Sequence, residues 1–80
     1  MATPAPVIVY VSNTPTWRDR ALRFLDARGV PYEVRNVVAD HRAMSELIML
    51  TGQQRIPTLV RGRAYAAGYD EAAWAELLEG

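Results

Sequence analysis

The chain of 80 residues contains no cysteine and no lysine. Without a thiol there can be no disulfide staple, thiolate metal site, thiol nucleophile or dithiol redox couple. Without an amine side chain, Schiff-base chemistry and a lysine-type phosphate clamp are excluded as well. The basic residues are all arginine, nine of them, and nine carboxylates bring the formal charge to zero. Net charge therefore gives no steering toward nucleic acid or an acidic lipid surface, so neither is an expected partner. His41 is the single histidine. Zinc needs three or four ligands and no cluster of them is present, so no metal site is expected. The longest apolar run, Val7 to Val11, is far too short to cross a membrane. No basic stretch followed by an apolar one opens the chain, which makes the cytoplasm the expected compartment.

What remains is an ordinary globular composition, 50% hydrophobic and 22% charged. A chain of this size buries only about 60% of its unfolded surface, so a single thin-cored domain is expected over residues 1–80. Met1 to Pro6, with two prolines among small residues, forms a loose lead-in. Val7 to Val11 is a continuous β-branched and aromatic run, as in a strand covered on both faces. A helix follows from about Pro15 to Arg28. Thr14 is positioned to cap it with Pro15 at its first position, and Thr16 with Asp19 offers a competing capping box. Trp17, Ala21, Phe24 and Leu25 share one helical face, and Gly29 stops the helix. Tyr32 to Val38 alternates like a half-exposed strand. Asp40 caps a second helix, about His41 to Thr51, whose inward stripe is Met44, Leu47, Ile48 and Thr51. Gly52 ends it.

Thr58 to Arg61 and Ala64 to Ala67 flank Gly62-Arg63, a two-residue hairpin signal. The Arg61-Gly62-Arg63 tip has the look of a phosphate clamp, but a solvated hairpin is the simpler reading. Gly68 then turns the chain, and Asp70 caps a last helix with Trp74, Leu77 and Leu78 inward. The expected architecture is α/β, in the order β-α-β-α-β-β-α. It is a four-stranded mixed sheet with helices on both faces, its first two strands parallel across a right-handed crossover.

Three stretches in register carry a resemblance: Tyr10 to Arg20, Arg55-Ile56-Pro57-Thr58 and Ala67-Gly68-Tyr69-Asp70. Together they resemble the glutaredoxin family, including the small redoxins that reduce ribonucleotide reductase. The family's strand tyrosine falls on Tyr10, its helical alanine on Ala21 and its Gly-Val on Gly29-Val30. Its Thr-Val-Pro loop falls on Arg55-Ile56-Pro57, and its Gly-Gly-x-Asp or Ser-Gly-Phe turn on Ala67 to Asp70. The resemblance spans nearly the whole chain and implies a thioredoxin-like fold with a cis bond before Pro57. It also implies a glutathione groove at that loop, with carboxylates held near Gly68, Tyr69 and Asp70 and by a cation just after the first strand.

Here that cation is replaced by Ser12. The family's Cys-x-x-Cys lands on Pro15-Thr16-Trp17-Arg18, or on Thr14 and Trp17 if the register shifts by one. Proline carries no nucleophile, and a threonine hydroxyl without a basic partner is no redox couple. The catalytic set is therefore empty, and dithiol exchange by the family's mechanism is excluded. The retained recognition surface would comprise Trp17, Arg18, Arg55, Ile56, Pro57, Gly68, Tyr69 and Asp70. Arg18 and Arg55 are the candidates to replace the missing cation, since guanidinium grips carboxylates bidentately.

Each residue also has a plainer reading. Trp17 is in phase with Ala21 and Phe24 and fits packing as well as a ligand platform. Arg18 opposes the helix dipole at a cost of ~0.3–1 kcal/mol, which a bound anion would relieve and which a solvated surface arginine would simply tolerate. Tyr69 either covers a groove or staples the last helix, Pro57 sets strand geometry, and Trp74 is core. Asp40 and His41 form no catalytic dyad, because no nucleophile accompanies them. The expected function is a cysteine-free, non-catalytic module without a cofactor, binding glutathione, an extended peptide or a partner protein. The alternative is a structural protein, such as a homodimer, with no small ligand. An unrelated enzyme finds no nucleophile–base pair, carboxylate pair or metal cluster to support it.

Overall fold

The computed structural model describes residues 6–79. Apart from Pro6, which is exposed, the expected lead-in lies outside the described residues. Seven elements follow in order: β1 (Val7–Val11), α1 (Pro15–Ala27), β2 (Tyr32–Asn36), α2 (His41–Thr51), β3 (Thr58–Arg61), β4 (Ala64–Ala67) and α3 (Glu71–Glu79). The strands form one sheet in the order β2-β1-β3-β4. β1 runs parallel to β2 and antiparallel to β3, and β3 pairs antiparallel with β4. The parallel pair is the consequence of a helical crossover, and the hairpin is turned by Gly62 at φ 64°.

Alternation along β1 and β3 divides the interior in two. Val7, Val9, Val11 and Leu59 pack with Ala21, Leu25 and Trp74, so α1 and α3 share one face of the sheet. Tyr10 and Val60 pack with Val37, Ala43 and Leu47, which puts α2 on the other. β1 is covered on both sides, which is why its sequence is apolar throughout. Trp74 is fully buried and its indole N–H donates to the Gly68 carbonyl at 3.0 Å, so its polar end is satisfied inside the core. The Tyr10 hydroxyl donates to Glu46 at 3.2 Å, and Arg35 pairs with both Glu46 and Glu33. Burial, followed by Glu46, pushes the Tyr10 phenol up from its usual value.

Several local expectations are corrected. β2 stops at Asn36 instead of reaching Val38, because the Asn36 side chain accepts from the Val38 and Ala39 N–H groups at 2.9 and 3.0 Å. That turn ends the ladder although Val37 and Val38 favour a strand. α1 ends at Ala27, one residue early. Gly29, at φ 66°, donates to the Asp26 carbonyl and Val30 to that of Leu25, a Schellman ending. Thr14 is the N-cap by position, but its side chain makes no capping bond. The buried stripe of α2 is Ala43, Leu47 and Thr51, and Ile48 is exposed. Arg61 is not solvated at a hairpin tip: its guanidinium donates to the Leu77 and Leu78 carbonyls at 3.1 and 2.6 Å, closing the end of α3.

Candidate functional site

The loop from Arg55 to Pro57 enters the sheet through β3. Thr58 is fully buried, and its hydroxyl donates to the Arg55 carbonyl at 2.5 Å, folding the loop back on itself. Pro57 is buried, Ile56 is half-buried against the α2 side of the core, and Arg55 is exposed. The Ile56–Pro57 peptide bond is cis. The stem of Arg55 lies across Gly68: a Cβ added there would sit 3.0 Å from Arg55 Cδ and 3.6 Å from Cγ. Gly68 itself has φ 79°, a backbone that favours glycine. The structure thus brings Arg55 and Gly68 together from loops separated by a hairpin.

Asp70 is committed to capping. Its carboxylate accepts from the Ala72 and Ala73 N–H groups at 3.0 and 3.2 Å, so the second and third amides of α3 are occupied. Asp40 does the same for α2, accepting from Arg42 N–H at 2.9 Å, while His41 is exposed beside it. Among the described residues no group of histidines and carboxylates could hold a metal ion.

Pro15, Thr16, Trp17 and Arg18 form the first turn of α1 and all four are exposed. Trp17 is 46% exposed, which corrects the expectation of an inward packing role. The buried stripe begins one turn later, at Ala21, and the ring reaches sideways instead. Its centroid is 6.2 Å from that of Tyr69, and the Arg20 guanidinium stands 5.2 Å from it. Tyr69 meets three aromatic rings: Trp17, Phe24 at 6.2 Å and Trp74 at 5.1 Å, the last two edge to face. It therefore serves both readings offered for it, stapling α3 to α1 and presenting its outer edge beside Trp17. Its hydroxyl donates to Glu71 at 3.0 Å, and burial, followed by Glu71, raises its pKa.

A hollow lined by Arg20, Arg23, Phe24, Tyr69 and Glu71 opens beside this cluster. Of these residues, sequence reasoning singled out only Tyr69 for a site. Arg20 and Arg23 sit three apart on one helical face, a detectable signal, but their approach to Glu71 depends on α1 and α3 sharing a face of the sheet.

The family model described as Glutaredoxin matches residues 7–64. No curated protein sequence matches the chain. Among solved structures, a glutaredoxin from Archaeoglobus fulgidus is 27% identical with a TM-score of 0.85, covering 95% of this chain and 88% of that one. The Escherichia coli NrdH-redoxin, described as a glutaredoxin-like protein with a thioredoxin-like activity profile, is 21% identical with a TM-score of 0.75. That match covers 90% of this chain and 93% of the other. A buckwheat glutaredoxin in complex with glutathione is 18% identical with a TM-score of 0.70, over 94% of this chain and 71% of the other. The last two likenesses concern the fold alone.

Proposed function

We propose, from the premise that the chain belongs to the glutaredoxin family, that it is a non-catalytic member binding glutathione or an extended peptide in the groove beside Pro57. With no cysteine in the sequence, whether the family's two thiol positions fall on Pro15 and Arg18 or on Thr14 and Trp17, dithiol exchange is not available to it. Reduction of a disulfide by this route needs a thiolate, and no other side chain supplies one.

The observation that carries the reading is the contact between Arg55 and Gly68. Two amides in the first turn of α3 are taken by Asp70, and Ser12 stands where the family keeps a cation. A carboxylate arriving here finds those two donors engaged, and Arg55 is the cation beside the turn. Arg18 is exposed in the first turn of α1. Guanidinium matches a carboxylate bidentately, so Arg55 suits a ligand with an acidic group. Beside Ile56, the backbone of an extended peptide could add on as a short strand. Glutathione is the first ligand to test because the buckwheat protein of the same fold binds it.

A second reading, a homodimer without a small ligand, draws on one observation. Val38, Ile48, Met49 and Leu50 are all exposed, Met49 at 85%. Titration with glutathione, followed by backbone amide shifts, separates the two. Saturable shifts at Ile56, Tyr69 and Asp70 support the binding module. Silence at millimolar ligand, with a mass that rises with protein concentration, supports the dimer.

A further inference from the structure

We propose that the free edge of β4 pairs with the same edge of a second copy of this chain, antiparallel about a twofold axis at Ala66, so that two sheets join into one. β4 ends the sheet. The two-residue turn at Gly62-Arg63 makes Arg61 and Ala64 a hydrogen-bonded pair, and Leu59 and Ala66 follow by alternation. The N–H and C=O groups of Tyr65 and Ala67 therefore point away from β3. Among the described residues no backbone group outside the sheet bonds to them.

Shape and charge select a second copy as the occupant. The other edge of the sheet, β2, is guarded by Glu33 and Arg35, paired at 3.3 Å, whereas β4 reads Ala-Tyr-Ala-Ala without a charge or a proline. Arg63 lies in the turn, outside the strand, and Arg61 is drawn off to the carbonyls of α3. With Ala66 on the axis, Tyr65 faces Ala67 of the second copy, so the outward groups meet as a hydrogen-bonded pair on either side of the axis. The Tyr65 ring is 41% exposed, and its hydroxyl donates to the Thr51 carbonyl at 3.4 Å. In this register the ring has a methyl group opposite it and the other Tyr65 on the diagonal, within reach of an aromatic side chain. Large thus stands opposite small, a match the strand carries in its own sequence. A formal charge of zero leaves no net repulsion between copies. β4 spans four residues, so the contact is small and association weak. The contact is the sheet edge and not the apolar patch on α2, so it holds or fails separately from both readings of function.

The test follows the full chain by sedimentation equilibrium and by amide hydrogen exchange at rising protein concentration. The mass should climb toward that of a dimer between about 10 µM and 1 mM, the range of a small interface. In the same series the Tyr65 and Ala67 amides should become more protected, while those of α2 stay as they are. Ala67→Pro deletes an outward N–H that β3 does not use, and should weaken association about tenfold. Tyr65→Lys puts like charges on the diagonal and should weaken it similarly. Met49→Lys, on the most exposed residue of the α2 patch, should associate as the parent does. A chain that stays monomeric at about 1 mM, a dimer whose Tyr65 and Ala67 amides gain no protection, or one that Met49→Lys dissolves and the edge variants do not, would overturn the proposal.

Discussion

Replacing Gly68 with alanine separates the cost of its backbone from the use of its neighbour. At φ 79° an L-residue is strained by roughly 1–2 kcal/mol, partly offset because alanine restricts the unfolded chain. Gly29 and Gly52 share that conformation, at φ 66° and 69°, but an added methyl there meets nothing within 4 Å. At Gly68 the methyl meets Arg55 Cδ at 3.0 Å, part of a flexible exposed side chain and not backbone. Arg55 should therefore swing away at little cost. All three variants should lose about 1 kcal/mol of stability, or ~4–8 °C in Tm for a domain of this size. Only Gly68→Ala should also displace Arg55 and weaken glutathione binding several-fold, as Arg55→Ala does, with no added loss in the double variant. Differential scanning calorimetry and amide-shift titration of the parent and the five variants provide the readout. A Gly68→Ala variant that binds as tightly as its parent would refute the role given to Arg55. A stability loss well beyond that of Gly29→Ala would mean that something stiffer than a side chain is in the way.

Arg61→Ala should cost about 1–2 kcal/mol in urea unfolding, because two charge-assisted bonds to the last carbonyls of α3 are lost together, while ligand shifts at Ile56 are unchanged. Alkaline pH should destabilise the fold. Tyr10 and Tyr69 are raised chiefly by burial, and Tyr32 by its hydrogen bond to Asp26, each from 10.0. The unfolded chain then ionises first, so stability is full below about pH 10 and falls as pH climbs through the folded values. Tm measured between neutral pH and pH 11 should drop most steeply at the top of that range, and a flat profile would contradict the burial argument.

The fold was legible where one face decided the residue type. Val7 to Val11 is apolar because both faces of β1 are covered, and Gly29 and Gly52 mark helix ends through backbone geometry that few other residues adopt. The reading failed where a single side chain overrode a pattern. Asn36 captured two amides and ended a strand that Val37 and Val38 would have prolonged. Ile48 was placed inward by helical phase, but the face of α2 that meets the core is the one bearing Ala43, Leu47 and Thr51. Arg61 looked like a surface charge because nothing local announces that α3 will end beside it. At the candidate site, Pro57 and Gly68 were visible as backbone determinants, and Asp70 as a cap. The nearness of Arg55 to Gly68, and of Arg20 and Arg23 to Glu71, arises only when separate elements meet, and no spacing along the chain encodes it.

The central claim is that a scaffold of the sulfur-exchange family lacks the sulfur that the exchange requires. The direct measurement is a disulfide-reductase assay, with thiol titration, on the chain bearing Pro15→Cys and Arg18→Cys beside the unaltered protein. The account predicts no turnover from the unaltered chain, and a reversible intramolecular disulfide with weak reductase activity in the double variant. Turnover from the unaltered chain, or a correctly folded double variant that never closes that disulfide, would contradict it.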